Sequence, residues 1–129
     1  MAELHREGDE LVLSLSAAEQ AEALHGSIRV PMSSVRGVEV VDDVLHAVHG
    51  MKTVGAAWPG RFFIGTFRQE TKTFAAVHHA TPRGVKVTLQ DANFDELIVG
   101  TPNPEAVVAE LVGSGPGDRP GAAKFWPGT

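Results

Sequence analysis

At 129 residues the chain is long enough for one hydrophobic core and short for two. Hydrophobic residues at 43% and charged residues at 21% mark a globular rather than a disordered chain, and the absence of cysteine excludes disulfides, thiol nucleophiles and thiolate metal sites. A formal charge of -5 argues against broad nucleic-acid or anionic-lipid binding, which needs clustered Lys and Arg. The segment from Met1 to Glu10 has no apolar run, so no secretory signal is expected, and the cysteine-free composition fits a reducing cytoplasm.

Taken in chain order, Leu11, Leu13 and Leu15 alternate with Val12 and Ser14, the period of a half-buried strand over 10–15. Ser16 and Glu19 have the spacing of a capping box, which predicts a short helix with Ala17, Ala21 and Leu24 on one face and Gly26 as its stop. Ile28, Val30 and Met32 alternate around Pro31, and because proline cannot donate to a ladder this strand is expected at an edge. Over 35–41, Val35 is out of phase with Val38 and Val40, which predicts a bulge at Gly37. Asp42 or Asp43 caps a second short helix over 44–49, ended by Gly50. Residues 51–61, punctuated by Gly55, Pro59 and Gly60, read as a loop. Further strands are expected over 62–68, 73–79, 84–90 and 95–100. Asn103, Pro104 and Glu105 then stand in the order a helix start prefers, with Val107, Val108, Leu111 and Val112 as the buried stripe. One domain is expected over 1–113, followed by a Gly- and Pro-rich tail over 114–129 that holds Phe125 and Trp126.

Seven strands, a long loop after the third and a closing amphipathic helix make an order that resembles the pleckstrin-homology-like barrel. The segment from Ser27 to Val38 is similar to the bacterial branch of that superfamily. Residues 2–112 also resemble a family of small bacterial proteins in three motifs, here Arg29 to Val35, Val40 to Asp43 and Gly65 to Arg68. The resemblance implies a mainly β fold, a seven-stranded antiparallel barrel with a C-terminal capping helix, and brings no catalytic residue with it. Lipid-binding pleckstrin domains hold inositol phosphates on a Lys/Arg cluster in and beside the first hairpin. The corresponding segment here carries Glu19 and Glu22 in a helix, which argues against phosphoinositide binding.

Among candidate site residues, His46 and His49 are three apart on an expected helix and could face a metal together with Asp43, His78 or His79. Closed metal sites need three or four ligands, so the preferred reading puts both imidazoles on the solvent face opposite Val44, Leu45 and Val48; neither a metal nor a cofactor is expected. His78 and His79, adjacent on a strand, are expected to point to opposite faces. Trp58-Pro59-Gly60 recurs as Trp126-Pro127-Gly128, which places both tryptophans in loops, where exposed aromatics often anchor contacts. Arg61 and Arg68, with Lys52, Lys72 and Lys86, could form a positive patch for an anion, although sixteen acidic residues share the surface. The expected function is a non-enzymatic protein-interaction or self-association module using a barrel edge, the 51–61 loop or Phe125 and Trp126. The alternative is a small-molecule or metal-binding protein, or a modest enzyme, with a site at the barrel mouth under that loop, lined by Trp58, Arg61, His46 and His49.

Overall fold

The structure, a computed structural model, describes residues 2–48, 50–58 and 60–112. The expected tail with Phe125 and Trp126, and His49, lie outside the described residues.

The chain opens with a hairpin of β1 (Glu3–Glu7) and β2 (Glu10–Ser14), turned at Gly8 and Asp9. The capping box forms as its residues dictate: Ser16 accepts from the Glu19 backbone N–H, and the Glu19 carboxylate accepts from that of Ser16. Helix α1 (Ala17–Ala23) follows and stops at Leu24, whose φ of 54° is left-handed, two residues before Gly26 could end it. Its buried residue is Ala23, while Ala17, Ala21 and Leu24 are exposed, so the inward face differs from the one the spacing suggested. Strand β3 (Ile28–Pro31) pairs only with β2, at the edge where Pro31 places it, and a 3₁₀ turn at Met32–Ser34 leads into β4 (Val35–Val41).

After α2 (Val44–Ala47), capped by Asp43, come β5 (Met51–Trp58), β6 (Phe62–Arg68), β7 (Lys72–His78), β8 (Gly84–Leu89) and β9 (Glu96–Gly100), and then helix α3 (Pro104–Val112). The first three strands make one sheet, β1-β2-β3. The other six make a second, ordered β4-β8-β9-β7-β6-β5. The β4–β8 register shifts between Val35 and Gly37, the bulge expected there.

The expected fold is thus mainly β with a C-terminal helix, as found, but the seven-stranded antiparallel barrel is corrected in three ways. Among the described residues there are nine strands, they form two sheets and not one closed barrel, and β7 and β9 run parallel. Strand β1 has one buried apolar residue, Leu4, too few to show an alternation. Residues 51–58, expected as loop, are a full strand, and the physical reason lies in their bulge, taken up below.

The main core lies between the first sheet and one face of the second, where Leu11, Leu13, Phe74, Val87, Leu97 and Leu111 are buried together. Burying a side chain of this size stabilises by about 1.5 to 3 kcal/mol. A smaller cluster of Val44, Val77 and Ile98 lies on the reverse face of the six-stranded sheet, joined by Leu45 and Phe63. Helix α3 packs on β1, β4 and β8 and so spans both sheets. Two polar ties fix it: Glu110 accepts the Arg6 backbone N–H at 3.1 Å, and Arg83 pairs with both Asp42 and Glu105. The Arg83 guanidinium holds the Glu105 carboxyl below its ordinary pKa. No helix among the described residues is long and apolar enough to cross a membrane.

Candidate functional site

Strand β5 ends the six-stranded sheet, pairing with β6 on one side only. Its register with β6 matches Met51 with Arg68, Val54 with Thr66, Ala56 with Ile64 and Trp58 with Phe62. Cross-strand partners share a face and β6 alternates without interruption, so Met51, Val54, Ala56 and Trp58 all face the side that α1 packs on. The register shift between Lys52 and Val54 makes this possible, because it puts residues three apart on one face. Thr53 is carried in the bulge, with its hydroxyl donating to the Thr66 carbonyl at 3.2 Å.

The exposure of that face is unusual for this molecule. Met51 is 79% exposed, Trp58 65% and Val54 42%, and the other large exposed apolar side chain among the described residues is Leu24, 71% exposed, at the end of α1. Helix α1 packs on β5 and β6, and beyond Leu24 the His25 ring lies against Phe74 and Phe94, so the apolar exposure on the sheet itself is that of Met51, Val54 and Trp58 along β5. The middle of β5 is bare backbone. Gly55 faces Gly65 with φ values of 131° and 135°, and a Cβ on either would fall within 2.3 Å of a carbonyl oxygen on the facing strand. Only glycine lets the strands approach so closely in that conformation.

The turn after Trp58 is fastened from β7. The Trp58 carbonyl accepts from the Arg61 N–H at 2.8 Å, and the Arg61 carbonyl accepts from the His79 backbone N–H at 2.7 Å. Phe62 stacks on His78 at 6.3 Å with an interplanar angle of 9°. The rings of His78 and His79 are 4.5 Å apart, although neighbours on a strand point to opposite faces. The reason is that β7 ends at His78, and the turn that follows, with Thr81 N–H on the His78 carbonyl, swings His79 round. Under α1 and beside these rings is a pocket of about 210 Å³ lined by Glu19, Glu22, Phe62, Ile64, Ala76 and His78 among others.

Of the residues singled out from sequence, the structure brings Trp58 and Arg61 together on the β5–β6 turn. His46 is elsewhere. It is on α2, which covers the reverse face of the sheet, and its Nδ1 is 2.5 Å from Asp43 Oδ2. That bond lowers the Asp43 pKa. No group of three or more His, Asp or Glu side chains arranged to hold a metal occurs among the described residues.

Met51, Val54 and Leu24 were missed in the sequence. The bulge breaks the alternation of 51–58 and Gly55 interrupts it again, so the strand has the look of a loop; the signal that could have found it is the matched Gly55 and Gly65, each central to an apolar run. Comparisons of the chain with family models, curated proteins and solved structures found no match.

Proposed function

We propose that the chain is a non-catalytic protein-interaction module whose contact is made along the edge strand β5. The observation that carries this reading is the exposure of Met51, Val54 and Trp58 on one face of an edge strand. Open edges with apolar side chains are the places where a sheet takes another chain, and proteins that do not use them cover or charge them. Kinship with the pleckstrin-homology-like superfamily is part of the proposal; the motifs at Arg29 to Val35 and Gly65 to Arg68 and the closing helix α3 support it.

Affinity purification from the cells that make the protein, wild type beside Trp58→Asp, tests the reading. Partners held by the wild type and lost by the variant are the expected result. An identical set of partners, or none together with a monomer at micromolar concentration, would sink it.

A second reading, a small-molecule binding protein, has the pocket beside Phe62 and His78 in its favour. At about 210 Å³ it is below the roughly 300 Å³ at which ligand pockets usually begin, so a fragment-sized ligand is what it would take. Native mass spectrometry of the protein from its own host would show the retained mass; a bare chain mass counts against this reading.

A further inference from the structure

The charges around β5 identify the kind of partner the edge accepts. In the described structure Arg29 pairs with Glu7 and Glu10, Arg83 with Asp42 and Glu105, and Lys86 with Glu39 and Glu96, while Arg36 donates to Gln90 and to the Ser33 carbonyl. Lys72 sits over the Phe94 ring. Three other cations among the described residues are uncommitted. Among the described residues Arg61 and Arg68 make no ion pair and no side-chain hydrogen bond, and Lys52 reaches only the Gly55 carbonyl, at 3.3 Å. All three belong to the β5–β6 hairpin, with Lys52 and Arg68 at the Met51 end of the edge and Arg61 at the Trp58 end. In a chain of net charge -5, unneutralised positive charge flanks the one strand among the described residues that exposes large apolar side chains.

We infer that β5 receives an extended peptide segment of another protein, with apolar residues at alternate positions and acidic residues at both ends, as an added strand. This rests on the reading of the chain as an interaction module. Along an added strand, alternate side chains share a face, so apolar residues two apart would lie beside Val54, Ala56 and Trp58. The Gly55-Ala56-Ala57 stretch sets no large side chain beside the β5 backbone, and an added strand would take over the Gly55 carbonyl from the Lys52 ammonium and leave that charge for a carboxylate. Carboxylates beyond the apolar run meet Lys52 and Arg68 at one end and Arg61 at the other. A second copy of the chain fits less well, because two β5 strands set antiparallel bring the Arg61 end of each to the Lys52 end of the other, and like charges so placed repel. The carboxylates of Glu19 and Glu22 belong to the pocket beside Phe62, one strand inward.

The test uses the whole chain and fluorescently labelled synthetic peptides of alternating valine and threonine, one with a pair of glutamates at each end and one with lysines there instead. The glutamate peptide is expected to bind at least about tenfold more tightly, and Trp58→Ala to weaken it about tenfold. The combined variant Lys52→Glu, Arg61→Glu and Arg68→Glu, with its circular dichroism unchanged, is expected to reverse the preference. Equal binding of the two peptides, or tighter binding of the lysine peptide, overturns the acidic partner while leaving the module in place. No binding of either overturns strand addition, and the affinity purification above then decides separately whether the module stands. A dimer that Trp58→Asp dissociates overturns the inference in favour of a second copy.

Discussion

Both edges of the six-stranded sheet are bulged, and they are finished in opposite ways. In β4 the register shift leaves Arg36 to reach out to Gln90 Oε1 at 2.7 Å and the Ser33 carbonyl at 2.6 Å, Val35 and Val38 are buried, and α3 lies against the strand. In β5 the shift leaves Thr53 bonded to its own neighbour strand and keeps Met51, Val54 and Trp58 on one face, exposed beside uncommitted cations. An edge strand is a template for association unless it is covered, charged or twisted away. The difference between the two teaches which edge is built to be closed within the chain and which to be left for another one.

Substitutions at the two edges should therefore part company. Leu111→Ala, in the helix that covers β4, empties a fully buried site and is expected to cost about 3 kcal/mol in chemical denaturation. Gly65→Ala sets a Cβ 2.2 Å from the Val54 carbonyl oxygen in a left-handed backbone; a loss of about 2 kcal/mol is expected, with amide protection lost first in β5. A third effect is tied to pH. The Arg83 guanidinium lowers the Glu105 pKa, so this pair's stabilisation is present above the ordinary carboxylate pKa and is lost as pH falls through the lowered one. The melting temperature should drop on acidification below about pH 4, and less steeply in Arg83→Ala. Trp58→Ala, on the open edge, should change stability by less than about 0.5 kcal/mol. A large loss there would mean that Trp58 holds the fold together and is not kept for a partner.

Much of the architecture was legible because it is local. The capping box of Ser16 and Glu19, Pro31 at an edge, the phase slip at Gly37 and the Asn103-Pro104-Glu105 helix start are each decided by a few neighbouring residues, and each is where the pattern placed it. What was not legible depends on residues far apart. Strand β1 is held by its pairing with β2, and β5 by its pairing with β6, so neither shows in its own alternation. Trp58 and Arg61 were picked out, but their separation from His46 by the thickness of a sheet is a matter of strand order, which no spacing encodes. Leu24 looked like a core residue because helical periodicity put it in line with Ala21; the left-handed cap turns the chain there and leaves it in solvent.

Strand β9 lies between β7 and β8, parallel to the one and antiparallel to the other, and it is the last of the described strands to be made. Until Glu96 to Gly100 have left the ribosome, the β5-β6-β7 meander and the β4–β8 pair share no ladder, and Phe74, Val85 and Val87 lack their Leu97 and Val99 neighbours. A nascent chain in that state waits with two temporary edges exposed, and completing a sheet from its middle through distant contacts is slow. Synthesis is thus expected to pass its period of greatest aggregation hazard just before β9 is made.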